Sequence, residues 1–303
     1  MSSMTKPERD IAAGFRLGFT EYDRADRAEQ RRLVRRAKDR YSEVRVSQGL
    51  NPGGVMFTKP DAQPKTGKSE RYTLILMMLP ASEAGVGNLC PPSTAGCRKD
   101  CLNLSGHGEM PASQAARLAR TVFMVEHPFS AAILVAHEIS LALARYADVG
   151  VRLNGTTDLR WELIAPEFIA RMAGRGCVFY DYTKWPPRLR QQAEGLIHLT
   201  YSAHERETPE HWADMVLQGY NVALVSRVSP ASLVWKDTGR VILGGTEITA
   251  INGDLSDDRT LDKPGVLVLL GCKGNRIWSN TSGFAYTSEP GKAPRTLIPY
   301  TIA

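Results

Sequence analysis

From about residue 71 the chain alternates short apolar runs with longer stretches of helical period. Seven runs have the length and the β-branched and aromatic content of strands, and each is bounded by Gly, Pro, Asn or charge. They are RYTLILMML (71–79), GVRLNG (150–155), CVFYDYT (177–183), LIHLTYS (196–202), NVALVSRV (221–228), RVILGG (240–245) and GVLVLLGC (265–272). Several are apolar at consecutive positions rather than alternate ones, the pattern of strands covered on both faces. Between them lie helical segments at 112–125, 128–147, 165–174, 188–195 and 209–219. Alternating strand and helix units predict a parallel sheet. The expected fold class is therefore α/β: a parallel β/α barrel, complete or partial and TIM-like, ahead of an open doubly wound sheet. The last 30 residues show no clear period and predict no element.

The first 50 residues differ from the rest. They hold 12 Lys or Arg against 8 Asp or Glu, and DRADRAEQRRLVRRAKDRYSEVR (23–45) is rich in helix formers with few core-sized side chains. The expected division is a basic helical arm at 1–50 and a barrel domain at 51–303. The arm is either a solvated helix with i,i+4 ion pairs or a contact for nucleic-acid phosphates. A net charge of +6 and a pI near 9.1 agree with a polyanionic partner. Five cysteines in 303 residues are too few, and an odd number, for a secreted disulfide scaffold. The opening MSSMTKPERDIAAGF lacks the apolar run of a signal peptide, and no stretch is apolar enough to span a bilayer. The expectation is a cytoplasmic protein with no membrane partner. A GKS fragment at 67–69 is no phosphate loop, because Ala62 stands where the first glycine belongs and the fragment precedes a strand.

Three of the five cysteines fall within NLCPPSTAGCRKDC: Cys90, Cys97 and Cys101, spaced C-x6-C-x3-C, with His107 six residues further on. Pro91, Pro92, Ser93 and Gly96 allow the sharp turns that bring sulfurs together. Three readings are open. The thiols are packed as small hydrophobes; or Cys90, Cys97, Cys101 and His107 bind a structural zinc; or the three thiolates hold a 4Fe–4S cluster with one iron open to a ligand. The loop, expected at 88–108, follows the first predicted strand. In a barrel that places it at the carboxyl ends of the strands, where active sites assemble.

Polar residues gather at other strand ends. VRLNGTTDLRWE carries Arg152, Asn154, Thr157 and Asp158; FYDYTKW carries Asp181, Tyr182 and Lys184; HLTYSAHE carries Ser202, His204 and Glu205. Each alone suits a helix cap or a turn, but together they suit a site at a barrel mouth. The acidic turn NGDLSDDRTLDKPG lacks the calcium-loop signature, and Asp254 with Arg259 is its candidate substrate contact. Cys177 and Cys272 read as buried, unreactive thiols. His137 and His198 read as structural.

In layout over about 70–275, and specifically at Cys90, Cys97 and Cys101, the chain resembles the radical S-adenosylmethionine enzymes, which carry a three-cysteine loop in that place. The chain is also similar to a family of tailed-phage proteins in the run Lys65-Thr66-Gly67, the cysteine loop, RLNGTTDLRWE, YDYTK and GDLSDDR. The first resemblance implies a 4Fe–4S cluster whose open iron binds S-adenosylmethionine. Asp158, Asp181 and Lys184 are then the candidate catalytic residues. Arg152, Asn154, Thr157, Ser202 and His204 contact the cofactor, and Tyr182, Asp254 and Arg259 contact the substrate. The second implies no established activity of its own, but makes DNA or its precursors a reasonable substrate class, so the expected substrate is a nucleoside, nucleotide or nucleic acid, in the host cytoplasm. Two alternatives stand beside this expectation. One is a zinc-bearing base-modification enzyme similar in layout to transglycosylases, with Asp158 or Asp181 as nucleophile. The other is a non-catalytic nucleic-acid-binding protein in which zinc only holds a loop.

Overall fold

Thr5 starts the first helix by a reciprocal pair of bonds: its hydroxyl accepts from the Glu8 amide, and the Glu8 carboxylate accepts from the Thr5 amide. In this computed structural model, which describes residues 3–60, 71–186, 195–234, 238–273, 281–288 and 295–299, the helix so capped is α1 (Lys6–Arg24). Asp26 caps α2 (Arg27–Ser47), accepting from the Ala28 and Glu29 amides at 2.8 Å each. α1 buries Ile11, Phe15, Phe19 and Tyr22, a stripe at helical spacing. It packs along α5 (Pro128–Leu143) so closely that a Cβ on Gly18 would fall on the Phe129 carbonyl. Gly18→Leu is therefore expected to destabilise by roughly 1–3 kcal/mol through overpacking. Urea unfolding checks this, and an unchanged midpoint contradicts it.

The chain divides into two units, the first comprising Met1–Pro91, His107–Asp181 and Arg188–His198, the second Pro92–Gly106, Tyr182–Pro187 and Leu199–Ala303. In the first, β1 (Phe57–Thr58) lies antiparallel to β2 (Tyr72–Leu76), and β2, β3 (Val149–Arg152) and β4 (Cys177–Thr183) follow as parallel neighbours. α4 (Pro111–Glu126) and α5 connect β2 to β3, while α6 (Trp161–Ile164) and α7 (Pro166–Ala173) connect β3 to β4. The rings of Phe15 and Trp161 meet edge to face at 5.3 Å, as do those of Phe15 and Phe168. Glu8 and Arg160, both buried, form an ion pair at 2.6 Å that ties α1 to the segment after β3.

The second unit holds α3 (Ala95–Lys99), β5 (His198–Ser202), α8 (Pro209–Leu217), β6 (Val222–Ser226), α9 (Pro230–Leu233), β7 (Thr238–Leu243), β8 (Thr246–Asn252), β9 (Leu267–Gly271), β10 (Tyr286–Ser288) and β11 (Arg295–Pro299). Its strands run in the order β5-β6-β10-β11-β7-β8-β9, and β6 also pairs with β9. Trp212, Leu224, Val241, Ile248, Leu267 and Tyr286 lie in its main core.

The protein is thus mixed α/β with one large, mostly parallel sheet. All seven expected strands are present within a few residues of their expected bounds. The all-parallel expectation needs correction at three antiparallel pairs, β1–β2, β7–β8 and β10–β11. β7 and β8 form a hairpin because Gly244 and Gly245 both take positive φ, 55° and 76°, the conformation of a two-residue turn between twisted strands. β10 and β11 occupy the tail for which no element was expected. The GKS fragment lies outside the described residues, as does nearly all of the helix expected at 188–195. Among the described residues, no single helix is long and apolar enough to cross a membrane.

Candidate functional site

In the first unit β3 ends at Arg152 and the chain turns through Leu153, Asn154 and Gly155. The turn is tight: the Gly155 amide donates to the Leu76 carbonyl at 3.0 Å, and a Cβ there would lie 2.6 Å from Ile75 Cγ2. Asn154 shapes the next five residues. Its Oδ1 accepts from the Thr157 hydroxyl (3.0 Å) and the Leu159 amide (2.9 Å), and its Nδ2 donates to the Leu159 carbonyl (2.9 Å). Asp181, from β4, accepts through Oδ2 from the Leu153 and Asn154 amides at 3.1 and 2.9 Å. Its Oδ1 lies 3.7 Å from Arg152 Nε, and the Arg152 guanidinium sits 5.9 Å from the Tyr180 ring centre. Arg152, Asn154, Thr157, Asp158 and Asp181 are all buried. A carboxylate and a guanidinium facing each other out of water hold a turn rigidly, since neither tolerates loss of the other.

The start of the cysteine loop reaches this turn. The Asp158 amide donates to the Leu89 carbonyl at 2.9 Å, and the buried Cys90 thiol donates to the Thr156 carbonyl at 3.5 Å. His107 lies on an exposed 3₁₀ turn, Gly106–Glu109.

In the second unit the rest of the loop forms α3, capped by Thr94, whose hydroxyl accepts from the Cys97 amide at 3.2 Å. The same hydroxyl donates to Glu205 Oε2 at 2.7 Å, and Glu205 Oε1 accepts from the Gly96 amide at 2.7 Å. Burial works against the charge on Glu205, but these hydrogen bonds outweigh it and hold the carboxyl below its ordinary range. Lys184 Nζ donates to Ser202 Oγ (2.7 Å) and to the Ser202 and Ala203 carbonyls (3.2 and 3.3 Å). It also lies 5.4 Å from the Phe284 ring centre, and Phe284 and Ala285 pack against Cys97 and Cys272. His204 Nδ1 accepts from the Arg206 amide at 3.3 Å, which leaves its proton on Nε2, facing Tyr201 Oη and Glu207. Burial lowers its pKa, so it is neutral at pH 7. Lys184, Ser202, His204, Glu205 and Cys97 thus occupy one neighbourhood of this unit.

Other expected contacts are placed elsewhere. Tyr182 packs against Ala223, Val266 and Val268. Asp254 accepts from the Gly271 amide at 3.0 Å and lies 3.3 Å from Lys273 Nζ, whereas Arg259 pairs with Asp262 at 3.3 Å and donates to the Ser256 carbonyl. Burial pushes the Asp262 carboxyl up to about 6, against the pull of Arg259 and with the push of Asp258. A carboxyl that binds its proton more tightly when folded weakens the fold as pH rises from its ordinary 3.8 to about 6. Asp262→Asn is expected to flatten that part of the stability curve; urea midpoints on either side of the window check it, and an unaltered slope contradicts it.

One feature was not expected from the sequence. Asn252-Gly253 stands at the end of β8 and Asn154-Gly155 two residues beyond the end of β3, and each glycine amide bonds the neighbouring parallel strand, Gly253 to the Leu269 carbonyl at 2.9 Å. The repeated LNG and ING triplets are its sequence signal. Burial pushes the Cys177 thiol up to about 12 and that of Cys272 to about 11, so both stay protonated at pH 7. Among the described residues, no three His, Cys, Asp or Glu side chains surround a common point as the ligands of a metal ion do.

The fold and these contacts define a mixed α/β protein in which polar strand-end loops fasten a cysteine-rich loop. The chain belongs to the Gene product 88 family, whose model matches residues 56–288, and this fits the resemblance to phage proteins. No curated protein and no solved structure matches it.

Proposed function

We propose that this protein is an iron–sulfur enzyme similar to the radical S-adenosylmethionine enzymes, modifying a nucleoside, nucleotide or nucleic acid in the cytoplasm of a phage host. The observation that carries the reading is the fastening of the first half of the cysteine loop at two points. Leu89 and Cys90 are bonded to the Thr156–Asp158 turn in the first unit, and Thr94 and Gly96 to Glu205 in the second. A loop that only filled space needs no such anchorage to the strand ends whose side chains are polar.

In this reading Cys90, Cys97 and Cys101 would be the thiolate ligands that hold the cluster. A cluster with three protein ligands leaves one iron open to a small molecule and supplies an electron. The chain's own residues do the rest. Asp181 and Asn154 fix the turn that presents Arg152, Thr157 and Asp158, while Glu205 and Lys184 fix the segment around Cys97. The finer fold that accompanies this reading is a β/α barrel. In the second unit, the ladder β6-β10-β11-β7-β8-β9 returns to β6 through the β6–β9 pairing, which supports barrel-like curvature.

Incubation of protein reconstituted without oxygen with S-adenosylmethionine and dithionite tests the reaction class. Release of methionine and 5′-deoxyadenosine, abolished in Cys97→Ala, is the expected result. A loaded cluster that leaves S-adenosylmethionine intact, with and without added nucleosides, overturns it.

A further inference from the structure

α2 concentrates the charge of the chain. Its 21 residues include eight Lys or Arg and three Asp or Glu, a net +5 out of +6 for the whole protein. The two faces of the helix differ. Leu33, Val34, Ala37, Tyr41 and Val44 are buried, and the helix packs on α4 and α5. Arg27, Arg31, Arg35, Arg36 and Lys38 are exposed, and none of them forms an ion pair among the described residues. Among the described residues, Arg32 and Arg40 are the cations of the helix matched by carboxylates, Glu29 and Glu43 of the same helix.

This arrangement has a cost that a partner removes. Positions 27, 31 and 35 form one row along the helix and 32, 36 and 40 a neighbouring row, so like charges stand at i,i+4, each pair unfavourable by a few tenths of a kcal/mol. Seven of the eight cations are Arg, the side chain whose planar fork fits a phosphate with two hydrogen bonds. From Arg27 to Arg40 the basic stretch is roughly 20 Å long at 1.5 Å per residue, a length over which a duplex presents a continuous row of phosphates. A lipid surface is a poorer match. Helices that bind bilayers insert an apolar face, and the apolar face of α2 is already covered.

We propose that the exposed face of α2 docks on the phosphate backbone of a nucleic acid without regard to its sequence. The helix lies outside the residues matched by the family model, 56–288. The inference rests on the nucleic-acid part of the reading above and not on the cluster, and it is tested on protein free of metal.

The test is fluorescence anisotropy of a labelled random-sequence DNA duplex with the full-length protein over a range of KCl concentrations. Wild type is compared with the quadruple variant Arg31→Gln, Arg35→Gln, Arg36→Gln, Lys38→Gln, which keeps strong helix formers at exposed positions. The expected result is a shallower dependence of log K on log salt, by about 0.9 for each phosphate no longer neutralised and up to about 3.6 for all four. Affinity should fall equally for duplexes of unrelated sequence, with the thermal midpoint unchanged. An unaltered slope and affinity overturn the proposal. So does a variant that retains DNA binding while losing binding to phosphatidylserine vesicles.

Discussion

Replacing Glu8 with Gln is expected to cost about 3–5 kcal/mol of stability, because it leaves the Arg160 guanidinium buried without its counter-charge. Both side chains are almost wholly out of water, and the contact joins residues 152 apart in the chain. Glu8 Oε1 accepts from Arg160 Nε at 3.0 Å and from the Arg160 amide at 2.9 Å, and Oε2 accepts from Nη2 and from the Thr5 amide. Burial works to raise the Glu8 pKa, but these bonds and the Arg160 charge outweigh it and hold the carboxyl below its ordinary 4.5. A depressed carboxyl stabilises above its unfolded pKa and loses that contribution as pH falls through the folded value. Wild type should therefore lose stability below pH 4.5, and Glu8→Gln should lose less there, keeping only the share of carboxyls such as Glu205. Adding Arg160→Met to Glu8→Gln removes the stranded charge and should recover part of the loss. Chemical unfolding of the two single variants and the double variant checks the claim, and a loss under about 1 kcal/mol in Glu8→Gln contradicts it.

Asp181→Ala should have an effect of similar size for a different reason. The carboxylate accepts from two buried backbone amides, Leu153 and Asn154, and faces Arg152. Each buried donor left without an acceptor costs roughly 1–3 kcal/mol, so the alanine variant should lose about 2–6 kcal/mol. Asp181→Asn keeps one oxygen as acceptor and should lose distinctly less. Amide hydrogen exchange at Leu153 and Asn154 adds a local readout, because both should exchange faster in the alanine variant. Unchanged exchange with a small loss of stability would mean that Asp181 does not hold the turn.

Most of the sheet was legible because the strands announce themselves. Runs such as VALVS in β6 and LVLLG in β9 are buried along most of their length and carry no competing period. β8 escaped because Gly244-Gly245 read as the end of a strand, although a glycine pair between apolar runs is also a hairpin signal. The burial of α1 escaped for a different reason. A helical arm was expected at 1–50, but the charges around the stripe of Ile11, Phe15, Phe19 and Tyr22 suggest a solvated one.

For the candidate site, chain order alone sufficed to place the cysteine loop near strand ends, since the loop comes directly after the first long strand. The anchors were beyond sequence reasoning. Thr5-x-x-Glu8 is a visible capping box, yet nothing local points Glu8 at Arg160. In the same way HLTYSAHE shows a polar strand end without revealing that Glu205 grips Thr94 and Gly96, 109 or more residues earlier. Asn154 and Thr157 were expected to meet a cofactor because they are polar and come after a strand, and they bond each other. Local polarity marks a turn and a site alike; only the partner distinguishes them.

The proposed function turns on the cysteine loop, and its most direct measurement is iron, zinc and acid-labile sulfide analysis of protein purified without oxygen, beside Cys97→Ala. A 4Fe–4S cluster on this loop gives about four iron and four sulfide per chain, with a broad visible absorption that the variant lacks. Stoichiometric zinc without sulfide, or no bound metal, would contradict it.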